Sequence, residues 1–269
     1  MDIKEIVESN RVAWNEALMY HQKARNNSLQ ENFKDPHFTT FNRKCDDILT
    51  SKLIELNLDG KMISQLPCNN GRELLSLMRF GAKEAVGFDI SDVAIQEAEE
   101  LASIAKLNAT FEKTNILEID AKYNNMFDII YISEGSLQWF PELEDYFRVV
   151  NRLLKKDGKI LIYEMHPFSY FFEQASGLNR EIQLRDFISY FEKGPYGYDE
   201  GLDYIGQTNY EAKKCYWFMH KISDILNSII KNGIEILEFN EYNHEIGNNE
   251  NIKYLNKFPL SYIMTAQKR

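Results

Sequence analysis

The sequence predicts a doubly wound α/β fold with a mainly parallel seven-stranded sheet, closed at its carboxyl-terminal end by an antiparallel strand pair. Three observations predict it. Short apolar runs alternate with stretches of helical period from about residue 62 to residue 163. The runs are apolar almost throughout, as expected of strands that helices cover on both faces. The last two strand-like runs, near 234–239 and 260–266, have no evident helix between them, and an antiparallel pair is the simplest account.

The elements follow in order. Ile3, Ile6, Val7, Trp14, Ala17, Leu18 and His21 recur at spacings of three, four and seven, one face of an amphipathic helix over residues 3–25. A second periodic stretch, Asp46 to Leu56, stops at Asn57, Leu58, Asp59 and Gly60. Strands are then expected at Met62–Leu66, Ala85–Phe88, Thr110–Glu112, Phe127–Ile132 and Lys159–Tyr163, with helices at Arg72–Arg79, Val93–Ile104 and Leu143–Leu154 between them. The tail adds a helix at Lys221–Lys231 and the closing strands at Ile234–Phe239 and Leu260–Ala266.

Residues 168–218 break this rhythm, with 14 aromatic residues in 51 positions and glycines at 177, 194, 197, 201 and 206. A connection this long reads as a lid or substrate-facing insertion, or as a satellite aromatic core; the two are compatible. The chain thus divides, within one domain of 269 residues, into a helical cover (1–58), a binding core (60–165), the insertion (168–218) and a closing unit (219–269).

Forty-one acidic against 31 basic residues give a net charge of −10, which repels a phosphate backbone unless the positive charges are gathered in a strip. No strip is visible, so nucleic acid is expected not to be a partner. The polar start MDIKEIVESN is no secretory signal, and no run approaches about 18 apolar residues, so neither export nor membrane insertion is expected. Cys45, Cys68 and Cys215 lack paired metal or redox spacing, which points to free thiols in a cytoplasmic protein without a metal.

In such sheets ligands bind beyond the carboxyl ends of the strands, where strand order reverses. The first strand ends in Gln65-Leu-Pro-Cys-Asn-Asn-Gly71, whose glycine allows a close backbone approach or a positive φ. The second ends at Asp89, 18 residues beyond Gly71, where a carboxylate can accept both hydroxyls of a ribose. A dinucleotide needs G-x-G-x-x-G to cradle its diphosphate; Pro67 and Asn69 stand in this loop instead, which argues against NAD and FAD.

The run Met62-Ile-Ser-Gln-Leu-Pro-Cys-Asn-Asn-Gly-Arg-Glu73, with Ala82-Lys-Glu-Ala-Val-Gly-Phe-Asp-Ile-Ser-Asp-Val-Ala-Ile-Gln-Glu-Ala98, resembles the first two motifs of class I S-adenosylmethionine-dependent methyltransferases. Phe127-Asp-Ile-Ile-Tyr-Ile-Ser133 and Leu153-Leu-Lys-Lys-Asp-Gly-Lys-Ile-Leu-Ile162 resemble that family's fourth strand and fifth-strand turn, so the likeness covers roughly residues 60–165. The resemblance implies a Rossmann-like sheet with S-adenosylmethionine as cofactor. It implies further that Gln65, Pro67, Cys68, Asn69 and Gly71 wrap the methionine part, Asp89 binds the ribose and Ile90 lies against the adenine. Asn115 and the Ile116 backbone would read the adenine edge, and Ser133 would contact the methionine. The sequence departs from the family pattern at Gln65, usually acidic, and at Pro67 and Asn69, usually glycine.

Glu134 and His166 follow the fourth and fifth strands at the same edge, where a methyl acceptor should enter, and either could remove its proton. The histidine has a suitable ordinary pKa near 6.5; it could equally be a satisfied turn residue before Pro167. The expectation is methyl transfer to a hydroxyl, amine or thiol of a small molecule. The alternative is a regulatory protein that binds the cofactor and has lost transfer.

Overall fold

In the computed structural model, which describes residues 2–42, 45–171, 188–244, 246 and 257–269, helix α1 spans Ile3–Arg25. Asp2 caps it reciprocally with Glu5, satisfying two otherwise unpaired donors of the first turn. Two further helices, α2 (Ser28–Phe33) and α3 (Asp46–Leu56), complete the amino-terminal part.

The sheet follows. Strands β1 (Met62–Gln65), β2 (Glu84–Asp89), β3 (Ala109–Lys113), β4 (Phe127–Ile132) and β5 (Leu154–Met165) are separated by α4 (Arg72–Met78), α5 (Asp92–Ala105) and α6 (Leu143–Leu153). A hairpin of β6 (Tyr196–Tyr198) and β7 (Cys215–Trp217) lies apart from the sheet; α7 (Ile222–Lys231), β8 (Ile234–Tyr242) and β9 (Ser261–Lys268) close the chain. The order is β3-β2-β1-β4-β5-β9-β8, with the first five strands parallel and β9 antiparallel to both its neighbours. Strand order reverses between β1 and β4, which is where a ligand crevice opens.

The strands alternate between two buried layers. Ile130, Ile132, Ile160 and Ile162 meet α6 and α7 through Tyr146, Phe147, Val150 and Ile229, whereas Ile129, Tyr131, Leu161 and Tyr163 face the layer of Leu49, Leu53, Leu75 and Leu101. Period-two alternation of side chains on strands covered from both sides is what makes the sequence read as unbroken apolar runs.

The cover packs over the carboxyl edge of the sheet. Asn15 of α1 accepts from the Ser91 hydroxyl (2.6 Å) and donates to Asp92 (3.1 Å), and Arg11 pairs with Asp92, so α1 is fastened to the start of α5. Asn10 of α1 exchanges two hydrogen bonds with the Tyr216 backbone, and His21 reaches the Leu202 carbonyl at 3.0 Å. The expectation of a lid over 168–218 falls in part on residues 172–187, which lie outside the described residues. Among the described residues no helix is long and apolar enough to cross a membrane.

Candidate active site

The loop from Leu66 to Gly71 is pinned from three sides. The Tyr146 hydroxyl donates to the Leu66 carbonyl (2.6 Å), the Cys68 amide to the Phe88 carbonyl (2.9 Å), and the Asn69 amide to Asp89 Oδ2 (2.8 Å). Asn69 sits at φ +48°, a left-handed conformation that asparagine tolerates better than most residues, so it serves where the family pattern has glycine. Gly71 is also left-handed, at φ +72°, but its missing side chain makes room for protein: a Cβ there would lie 2.7 Å from the Phe111 ring and 2.8 Å from Ala98. Of the two reasons expected for a glycine at position 71, the positive φ is present, and close packing of the loop on α5 and β3 adds a third. Pro67 is half-buried. Cys68 is buried in the core, and a Cβ on Gly87 would meet its sulfur at 2.8 Å, so only its backbone is left for a ligand.

Asp89 is 8% exposed, with Oδ1 accepting from the Ser91 amide (2.9 Å) and Oδ2 from Asn69. Burial pushes its carboxyl above the usual range, and these backbone donors hold it down. Two fixed donors leave further lone pairs on a carboxylate, as binding two ribose hydroxyls requires. Ile90 is half-buried beside it. Asn115 caps the short turn Ile116–Glu118 by accepting from the Leu117 amide (3.1 Å), and the Ile116 side chain is part of the core.

Gln65 is buried at the end of β1 and donates from Nε2 to Glu73 (3.0 Å) and to the Ser133 hydroxyl (2.9 Å). Among the described residues its Oε1 and both amide atoms of buried Asn70 have no partner. Such orphans cost about 1–3 kcal/mol each and call for a ligand. An oxygen acceptor and an amide beside Glu73 suit the ammonium and carboxylate of a methionine moiety. The residues present thus fit S-adenosylmethionine. Asn70 and Glu73 escaped the sequence reading, because a polar residue in a turn or first helical turn carries no period that separates it from solvent-facing neighbours.

The two candidate bases part company. Glu134 is half-buried directly after Ser133, on the loop beyond β4. His166 is 2% exposed, stacked on Phe168, with Nδ1 accepting from the Phe168 amide (3.2 Å) and Nε2 against Glu241 Oε1 of β8 (3.0 Å). Burial drives its pKa down to about 4, so both nitrogens of the neutral ring are engaged and none is left for an acceptor. Trp139, in the turn after Glu134, meets Trp14 of α1 edge to face at 5.5 Å. Among the described residues no cluster of three His, Cys, Asp or Glu side chains could hold a metal.

A methyltransferase-domain family matches residues 59–221, well over half of the chain. Curated relatives include the tRNA U34 carboxymethyltransferases of Aliarcobacter butzleri (27% identical over 39% of this chain) and Helicobacter pylori strain Shi470 (30% over 39%). The match spans only 34% and 41% of their respective lengths. Solved structures with this fold include an S-adenosylmethionine-dependent methyltransferase of Mesorhizobium loti (TM-score 0.60, 18% identical, 81% of this chain and 96% of that one) and the cyclase SpnF (0.58, 18%, 96% and 97%). The expectation of a small-molecule acceptor with nucleic acid excluded is corrected by the relatives, which by name act on tRNA. Net charge averages over the whole surface, whereas binding depends on the local arrangement at the site. Sheet order, the Asp89 and Gln65 geometry and the family match converge on one assignment: the chain belongs to the methyltransferase-domain family and is an S-adenosylmethionine-dependent methyltransferase.

Proposed function

We propose that the acceptor is a base of an RNA, with tRNA the first candidate. The relatives' names carry this reading. The character of the cover supports it: Phe168, Phe191, Tyr198 and Tyr204 expose 37%, 83%, 37% and 55% of their surface on the insertion. RNA recognition works largely by splaying single-stranded bases onto aromatic side chains, each stack contributing about 1–3 kcal/mol.

In this reading Asp89 holds the ribose, with Ile90, Asn115 and the Ile116 backbone at the adenine. Gln65, Asn69, Asn70 and Ser133 hold the methionine part. The bound cofactor supplies an electrophilic methyl carbon on its sulfonium. The acceptor atom must lose a proton as it gains the methyl group, and Glu134 is the base we assign to take it, since both His166 nitrogens are engaged.

The test is incubation of the protein and labelled S-adenosylmethionine with bulk tRNA, followed by nuclease digestion and mass analysis of the nucleosides. A new mass on a nucleoside supports the reading and identifies the group transferred. Label that stays with the protein or the unreacted cofactor, at tRNA concentrations that saturate binding, defeats it.

A further inference from the structure

The short loop after β4 is met from α1, from the segment that follows β7 and from β1. The Phe218 amide, just beyond β7, donates to the Gln138 carbonyl (2.8 Å); His220 Nε2 lies 2.8 Å from the Phe140 carbonyl; Trp139 packs on Trp14 of α1; and Ser133 binds Gln65 of β1. Gly135 turns this loop at φ +73°. A loop with so many dependants needs its own backbone fixed.

One side chain fixes it. Glu164, the penultimate residue of β5, is 3% exposed and accepts four backbone N–H groups: Gly135 (2.5 Å) and Met165 (2.8 Å) at Oε1, Ser136 (2.9 Å) and Leu137 (3.2 Å) at Oε2. Three of the four come from the loop, at the start of the turn Leu137–Trp139; the Ser136 amide is shared with the Ser133 carbonyl (3.2 Å). We propose that Glu164 is the positioning residue of the site, its ionised carboxylate holding the loop from Ser133 to Phe140 in the shape that presents Glu134 and seats α1 and the insertion. The assignment does not depend on what the acceptor is.

The same geometry makes the loop sensitive to protonation. A carboxylate offers about four acceptor sites, while a protonated carboxyl turns one oxygen into a donor that faces N–H groups and must release at least one of them. Burial pushes Glu164 up to about 7 against the opposing pull of its four amide donors. The groups around it are Tyr146 of α6, Tyr262 of β9, Tyr170 of the turn after β5, Glu134 of the loop, and Gln138 and His220 across a small cavity. Burial raises the three tyrosines well above their usual value and lowers His220 to about 4, so none of these four changes charge near neutrality.

All three tryptophans report on this hub: Trp139 is in the loop, Trp14 packs on it, and Trp217 precedes the Phe218 tether. Tryptophan emission of the wild type, followed from roughly pH 5.5 to roughly pH 8.5, should show a transition centred near 7, and Glu164→Gln, which mimics the protonated form, should hold the low-pH emission throughout. A transition that persists in Glu164→Gln, or none in the wild type, overturns the proposal. Should Glu164→Gln not fold, hydrogen exchange on the wild type decides: protection at Gly135–Leu137, corrected for chemical exchange, should drop about tenfold from high to low pH while β4 stays protected. Equal protection at both pH values overturns it.

Discussion

The sheet and its cover are built from different forces. Phe127, Phe147, Leu153, Ile160 and Ile162 are wholly buried between the sheet and α6, so that side is held by apolar area removed from water. The join between α1 and the insertion is mainly polar: Ser9 to the Lys214 carbonyl, the Lys213 amide to Glu16, Asn10 to the Tyr216 backbone and His21 to Leu202, with Tyr20 stacked on Tyr210. Such bonds net about 1 kcal/mol each because water competes for both partners. Apolar burial thus holds the sheet and exchangeable polar bonds hold the join, a contrast that predicts local opening of the cover while the sheet stays intact.

The widest gap between the two should appear in core truncation. Phe147→Ala removes a fully buried ring and should cost about 3–5 kcal/mol in urea unfolding, whereas Trp14→Ala in the half-buried seam should cost well under half of that. Equal losses would make the cover part of the core. Next in size is Asp89→Ala, which removes the proposed ribose anchor and the tie to Asn69; S-adenosylhomocysteine affinity should fall at least about 100-fold by calorimetry, the low end for two charge-assisted bonds. Unchanged affinity in the folded variant would move the ribose elsewhere.

These two effects bear on the parts of the molecule that were legible in the sequence. The strand Phe127–Ile132 and the helix from Leu143 were readable to the residue, because apolar runs and helical period are local consequences of burial. Asp89 was readable as a carboxylate at the end of β2, but its ties to the Asn69 and Ser91 amides were not. Of the cover, α1 was legible from its helical period, whereas the insertion was legible only as an aromatic surplus. Its hairpin of two three-residue strands is too short to show a period, and its bonds to α1 run to backbone atoms that any residue supplies. Asn10 could have been found, since it stands four residues after Ile6 and three before Ala13, on the apolar stripe of α1. Glu164 was hidden because the same residue at the end of a strand could have faced solvent; only the loop folding back over it brings three further amides to the carboxylate beside that of Met165.

Acid should separate the two regions next. His21, His166 and His220 are each held by burial at a pKa of about 4, below the ordinary 6.5. Above about 6.5 they are neutral in both folded and unfolded chains and cost nothing; between 6.5 and 4 the unfolded chain takes up protons that the folded one refuses, so stability is lost as pH falls through that window. Glu164 opposes this, since its raised pKa lets the folded chain bind a proton first between about 7 and the ordinary 4.5. Three groups against one give a net decline in the urea midpoint, and His220→Gln should flatten it. A slope unaltered in that variant would return the effect to the carboxylates.

The smallest effect is the most direct reading of the cover. Asn10 spends its whole amide on the backbone of Tyr216, donating at 2.8 Å to the carbonyl and accepting at 2.7 Å from the amide. Asn10→Ala should therefore weaken the clasp by roughly 1–2 kcal/mol, enough to raise the open fraction of the cover about tenfold, while the unfolding midpoint barely moves because the sheet does not depend on that bond. Limited proteolysis resolves such local opening, and the positive-φ glycines Gly194 and Gly201 mark the turns where cutting should begin. Cleavage there should be faster in Asn10→Ala than in the wild type, and saturating S-adenosylhomocysteine should slow both if the cover closes over the cofactor. Should cleavage speed up only in proportion to global unfolding, the cover and the sheet would be a single cooperative unit, and the division of forces drawn between them would not hold.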